Sequence, residues 1–381
     1  MKIIYPYPMQ ITMGYTYMLS IIQFLNALAK IIPVDLLCLD SEGSIKDYLN
    51  NNLGIELNKN LNVIKISNKS FGIKSNKLFF IKNVIKHIDN CHSESLVIYT
   101  RDFKQMRLCI KKLKHLNLNI KFIFEAHQIL SQNYYECNDL KKSLEMKKLE
   151  SYVFQNVDGL VCITMPLSNE IKRIFHNCSK NHLVLPVGFN KDFLSLSHSK
   201  KKKYDIIYSG NFSQWKGLNT LIEAISIIKF QHQRDINAIL IGADDNSKKH
   251  YLNEAKKLKV LNNIEIINRI SHKEIYKYIA KSKVGVLSNN YEADGRLFTS
   301  PLKLYEYLGA GLKVVASKLP SILSNVDESL IYYAAPENAE SFAEKILLAI
   351  DDVNFDRKYV QDFAKKYTWE SRANIFLDFI S

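Results

Sequence analysis

"TSPLKLYEYLGAGLKVVAS", Thr299 to Ser317, reads as loop, helix, turn and strand in direct succession. Ser300 is a favourable helix N-cap, and Pro301 suits a first helical turn, where its missing N–H is no loss. Gly309 and Gly311 suit a left-handed helix end, and Val314 and Val315 suit the buried strand that follows. The start of such a helix presents amides without intrahelical partners and so favours anions, phosphate above all. Lys303 and Glu306 lie three apart and share a face beside it. A cation, an anion-binding helix end and an acid able to hold a ribose diol together suit a nucleotide. The plain alternative is a capped helix carrying an exposed ion pair.

The alternation of strand and helix extends outward from this stretch in both directions. Towards the N-terminus the β-branched runs are "KIIY", "PVDLLCL", "LNVIKIS", "SLVIYT", "IKFIFEAH", "GLVCIT" and "HLVLPV". The second half supplies "YDIIYSG", "INAILIG", "IEIINRI", "VGVLS", "LKVVAS" and "SLIYYAA". Strands joined by crossover helices make parallel sheets, so each half reads as a doubly wound, Rossmann-like α/β domain. The basic segment "SLSHSKKKKYD", Ser195 to Asp205, reads as the linker between them. The expected division is a first domain over 1–196, a nucleotide-binding domain over 204–365 and a terminal helix over 366–381. Two such domains leave a cleft at the carboxyl ends of their strands, where this architecture binds ligands.

A chain of 381 residues exceeds one ordinary core, and 47% hydrophobic with 24% charged residues is globular composition. The net charge of +14 asks for an acidic partner, whether nucleic acid, anionic membrane or phosphorylated substrate. Six cysteines, Cys38, Cys91, Cys109, Cys137, Cys162 and Cys178, show no metal-like spacing and read as reduced thiols, which suggests a cytoplasmic protein. The opening "MKIIYPYPMQ" reads as a short strand broken by prolines, without the apolar centre of a signal peptide. No run is long and apolar enough for a spanning helix.

Residues at strand ends carry the candidate chemistry. In "YSGNFSQWKGLNTLIEAI", Gly210 follows a strand and Lys216 precedes a helix, so a ligand can approach the backbone and meet a cation. Gly242 ends the next strand in "ILIGADD", where a base or ribose would lie. In the first half, "FIFEAHQ" ends a buried strand with Glu125 and His127, which alternation puts on one side. "YTRDF" offers Arg101 and Asp102, with a surface ion pair as the plain reading. Gly14 and Tyr15 sit at a strand-to-helix turn bordering the same crevice.

These segments in this order resemble the family-4 glycosyltransferases of the GT-B fold, known as glycosyl transferases group 1. The resemblance rests on "YSGNFSQWKGLNTLIEA", "SPLKLYEYLGAGLKVVAS", "FEAHQ", "NVDGLVCIT", "LPVGFN" and the terminal "YTWESRA". It implies two Rossmann-like domains facing across a cleft, with the helix after Pro301 beneath the sugar nucleotide. By the same resemblance, Ser300, Pro301, Leu302 and Lys303 border the diphosphate and Glu306 meets the ribose hydroxyls. Lys216 matches a lysine that neutralises the leaving diphosphate, His127 matches a histidine facing the donor sugar, and Trp369 anchors a last helix that crosses back to the first domain. Gly14, Tyr15, Arg101 and Glu125 then fall on the acceptor side.

The chain also departs from the family pattern. The first glutamate of the usual Glu-x7-Glu pair is replaced by Phe298, although Glu292 and Asp294 precede it. The arginine expected after the glycine of the phosphate loop is Asn211, and Arg296 is the cation available to replace it. The expected activity is metal-independent, retaining transfer of a hexose or N-acetylhexosamine from a UDP- or GDP-sugar, with no further cofactor. The expected acceptor is a saccharide or lipid-linked saccharide of bacterial surface polysaccharide or lipopolysaccharide. "KQMRLCIKKLKHLNL" and "KKSLEMKKLE" read either as basic faces resting on the inner face of an anionic membrane or as ordinary solvated helix faces. The alternatives are a nucleotide binder that has lost transfer, an epimerase of the same fold, and a nucleic-acid-binding protein. No helix-turn-helix, zinc-finger or RNP-like pattern supports the last of these.

Overall fold

Each β-branched run becomes a strand, and the sheets they form are parallel because helices carry the chain back between them. The structure, a computed structural model, describes residues 1–11, 16–41, 43–67, 69–70, 73–74, 77–91, 95–115, 119–199, 201–291, 298 and 300–381. Gly14, Tyr15, Glu292, Asp294 and Arg296 lie outside the described residues. The chain divides into two compact units, Met1–Pro186 with Trp369–Ser381, and Val187–Thr368.

The first unit holds β1 (Lys2–Tyr7), β2 (Val34–Leu39), β3 (Leu61–Ile66), a small antiparallel hairpin of β4 (Lys69–Ser70) and β5 (Ile73–Lys74), β6 (Leu96–Thr100), β7 (Ile120–Ala126), β8 (Gly159–Cys162) and β9 (His182–Val184). Its seven-stranded sheet runs β3-β2-β1-β6-β7-β8-β9, so the strand order reverses between β1 and β6. Ile3 pairs with Val34 on one side and Val97 on the other, and all three are fully buried. The prolines do not break β1: Pro6 sits opposite Leu37 of β2, while pairing with β6 covers only Lys2 to Ile4. The missing N–H of Pro6 therefore faces a side where the ladder has already ended, and its carbonyl accepts the Thr100 hydroxyl at 3.2 Å. The last helix, Trp369–Ile380, packs in this unit, with the Phe376 ring 5.5 Å from Phe24 and 4.7 Å from Tyr99.

The second unit holds β10 (Tyr204–Ser209), β11 (Ala238–Ala243), β12 (Ile264–Asn268), β13 (Ser282–Leu287), β14 (Lys313–Ser317) and β15 (Tyr332–Ala334). Its sheet runs β12-β11-β10-β13-β14-β15, parallel throughout, with the reversal between β10 and β13. The helix Leu218–Phe230 lays Leu221, Ile222 and Ile225 on the sheet, where they share a core with Ile206, Leu240 and Val284.

The division falls at Pro186, upstream of the expected linker. Val187 N–H donates to the Ser300 hydroxyl at 3.2 Å, Phe189 bridges to Thr368, and Ser199 N–H donates to the Ala280 carbonyl at 3.1 Å. The segment from Ser195 to Asp205 is thus tied into the second unit by hydrogen bonds that its basic composition did not announce.

Candidate functional site

In the second unit the reversal of strand order brings the ends of β10 and β13 together, the place where a doubly wound sheet leaves a crevice. After β10 the chain turns through Gly210 into a short 3-10 turn, Gln214–Lys216, and then into Gly217, whose φ of +64° is left-handed. A side chain on Gly217 would lie 1.9 Å from the Ser288 carbonyl oxygen, so only glycine allows the loops after β10 and β13 to meet here. The Ser288 hydroxyl donates to the Lys216 carbonyl at 2.9 Å, and Asn290 N–H donates to the Trp215 carbonyl at 2.9 Å. Gly242, with φ +115°, lets the end of β11 press against the Gly210 carbonyl in the same way.

Lys216 is half-buried, its ammonium 3.7 Å from the Trp215 ring centroid, and it pairs with no carboxylate among the described residues. Burial pushes its pKa down to about 8. A cation with no acidic partner among the described residues is one that an anionic ligand could pair with. Asn289, fully buried just past β13, finds no hydrogen-bond partner among the described residues for either its amide nitrogen or its oxygen. A polar ligand is one way to satisfy such a group. Asn211 is exposed, its side-chain oxygen accepting from the Ser213 hydroxyl at 3.1 Å.

The opening stretch contributes the helix Leu302–Gly309, one residue shorter at its start than expected. Pro301 occupies the cap position with no side-chain cap, and Ser300 is not the N-cap because its hydroxyl accepts the Val187 N–H. The first-turn amides at Leu302 and Lys303 therefore have no capping side chain. At the other end Gly309 is helical and only Gly311, at φ +68°, is left-handed. Glu306 is nearly fully buried and accepts the Lys303 ammonium at 2.6 Å. Next to it, the Tyr307 hydroxyl accepts the Ser209 N–H at 2.9 Å, so this helix is fixed to the end of β10. Gly210, Asn211, Lys216, Gly242, Ser300, Pro301, Leu302, Lys303 and Glu306 thus all belong to one unit, on the segments that follow its strands.

In the first unit the surface ion pair that is the plain reading of Arg101 and Asp102 does not form. Asp102 instead caps the helix Phe103–Leu113, accepting Gln105 N–H at 2.9 Å. Arg101 turns inward to the fully buried Glu125, with Nη2 at 2.8 Å from Oε1. The same oxygen receives His127 Nε2 at 2.7 Å and Arg372 Nη2 at 3.1 Å. Burial works to raise the Glu125 pKa, but Arg372 and the His127 hydrogen bond outweigh it and hold the carboxyl below its usual range. For His127, burial and then the Arg101 charge win over the pull of Glu125 and lower the imidazole to about 4.

Arg372, Tyr307 and Asn289 were not singled out from the sequence. Arg372 carried a signal: it stands three residues after Trp369, on the inward face of an amphipathic helix.

The family model of glycosyl transferases group 1 matches residues 191–366. No curated protein matches the sequence. Among solved structures, HepE of Anabaena in complex with UDP superposes with a TM-score of 0.75 at 14% identity, over 100% of this chain and 99% of that one. Sucrose-phosphate synthase of Thermosynechococcus elongatus gives 0.70 at 16% identity, over 100% and 98%. WaaG, a glycosyltransferase involved in lipopolysaccharide biosynthesis, gives 0.67 at 14% identity, over 100% of both. The two parallel-sheet α/β units are those of the GT-B fold.

Proposed function

We propose that this chain, whose residues 191–366 match the family model of glycosyl transferases group 1, moves a sugar from a nucleotide sugar to an acceptor hydroxyl. The observation that carries the reading is Lys216, without a carboxylate partner among the described residues, on the Gly217 loop fixed against the end of β13, where a doubly wound sheet binds nucleotides.

In this reading the bond between the anomeric carbon and the diphosphate breaks while one to the acceptor oxygen forms. The acceptor proton passes to the departing phosphate oxygen. Negative charge builds on the leaving diphosphate, and Lys216 with the amides of Leu302 and Lys303 are the groups to stabilise it. Lys303 shares its charge with Glu306 before ligand binds, and the Glu306 carboxylate is then the acceptor for the ribose hydroxyls. Gly210, Asn211, Gly242, Ser300 and Pro301 would line the nucleotide, with Arg296 from the adjoining loop. His127 of the first unit is read as the group that meets the sugar, with Arg101 and Glu125 supporting it and Gly14 and Tyr15 beside the acceptor.

HepE has been solved with UDP and with UDP-glucose, which supports a UDP-hexose as the first donor to try here, with GDP-sugars next. Retention of configuration without metal or other cofactor follows from the family resemblance. An envelope saccharide or lipid-linked acceptor is supported by the likeness to WaaG and by the exposed Tyr135, Leu140 and Leu144 among lysines. Such a surface suits peripheral contact with the cytoplasmic face of an anionic membrane.

Thermal-shift binding of UDP-, GDP- and ADP-sugars, with an oligonucleotide as control, tests the reading. Stabilisation by one nucleotide class, abolished in Glu306→Ala, is the expected result. Stabilisation by the oligonucleotide alone would overturn it in favour of a nucleic-acid-binding protein.

A further inference from the structure

Three cationic or basic side chains, Arg101, Arg372 and His127, converge on one carboxylate oxygen inside the first unit. Arg101 is 8% exposed, Arg372 1% and Glu125 0%, while His127 keeps 32% of its side chain open to solvent. Arg372 is further held by its Nε–H to the Pro186 carbonyl at 2.8 Å and lies 4.0 Å over the Phe24 ring. Arg101 donates to the Ser20 hydroxyl at 3.0 Å. Buried ion pairs gain little over apolar packing, and this one leaves Glu125 Oε2 and Arg372 Nη1 buried with no hydrogen bond among the described residues. Stability alone gives no reason for it. What it does achieve is to orient the one partly exposed member, His127.

An ionised Glu125 can only accept, so the imidazole nitrogen facing it must carry a proton. With the two guanidiniums disfavouring a second proton, the ring is neutral and its other nitrogen has a lone pair. We propose that Arg372 is a positioning residue for His127: through Glu125 it fixes the imidazole as the Nε2–H tautomer, so that Nδ1 accepts a hydrogen bond from a hydroxyl of the donor sugar. The proposal rests on the transferase reading for its substrate, but the clamp itself does not depend on it. It also makes His127 an acceptor towards the sugar rather than a general acid.

The test is nitrogen-15 NMR of the histidine side chains in the full chain, with His127→Gln identifying the signal among the 10 histidines. His127 should show the Nε2–H pattern and no protonation from about pH 8 down to about pH 5. Arg372→Gln should raise its pKa and mix the tautomers, and Arg372→Lys, which keeps the charge, should restore most of the single pattern. Donor kcat/KM in Arg372→Gln should fall about tenfold, with part of the loss in KM because the hydrogen bond is already made to the bound donor. If Arg372→Gln does not fold, Glu125→Gln must release the tautomer instead. An Nδ1–H or protonated wild-type ring, or a folded Arg372→Gln with unchanged titration, would overturn the clamp. An intact clamp whose His127 signal ignores every nucleotide sugar would remove His127 from the donor site and leave the pairing as architecture.

Discussion

Lys216 is the residue on which most of the proposed chemistry turns, and its environment sets a pH dependence. Its pKa of about 8 in the free protein means the ammonium is charged below that pH and lost above it. A bound diphosphate favours the charged form, so affinity should be level at lower pH and fall as pH rises through about 8, by at most about tenfold per unit for one proton. Isothermal titration with the nucleoside diphosphate across that range measures the slope, and a flat profile would show that Lys216 is not in contact with the anion. Lys216→Ala should lower turnover at least about tenfold, corresponding to roughly 1.4 kcal/mol of transition-state stabilisation. Sequence pointed to Lys216 because a glycine and a lysine between a strand and a helix are local features. It gave no sign of Asn289, whose burial depends on loops brought from elsewhere in the chain.

At the scale of elements, helix ends show what is local and what is not. The caps at Asp102, Thr164 and Asp244 are made by residues within three positions of their partners. The helix Leu130–Glu136 has no cap of its own; Ser131 N–H instead donates to both oxygens of Glu150, 3.3 Å away on the helix Leu140–Asn156. Glu150 is fully buried, and burial outweighs these bonds and pushes its pKa up to about 7 from 4.5. Here the folded state holds the proton more tightly than the unfolded one. Stability should therefore decline as pH rises from about 4.5 through about 7, by about 3 kcal/mol at most. Glu150→Gln should remove that decline, so denaturation of both proteins at about pH 5 and about pH 8 should show them converging in acid and the variant ahead in base. The short helix Leu302–Gly309 shows the same limit from the other side. Its existence and direction follow from local sequence, but its start was misplaced because Ser300 bonds to Val187, a residue far away in the chain.

Across the whole molecule, the last helix is the element that makes the first unit discontinuous in sequence. Phe376 is fully buried between Phe24 and Tyr99, and Trp369 donates its indole N–H to Gln23 at 2.9 Å. Phe376→Ala should cost about 3–5 kcal/mol, read as a lower denaturant midpoint for the first unit. An effect below about 1 kcal/mol would mean that the helix is dispensable there. By itself the sequence determined the class of fold, since periodicity and turn residues act over a few positions and every strand expected from them formed. It also singled out the segments on which the proposed nucleotide site rests, because the glycines, Lys216 and Glu306 lie on motifs that are local. The tertiary structure alone decided where the units divide, that Arg101 turns inward, and that Arg372 joins Glu125 and His127. Each of those depends on a partner distant in sequence: hydrogen bonds made once the sheet has formed fixed Pro186 as the boundary, and burial made Glu125 the strongest available partner for two arginines.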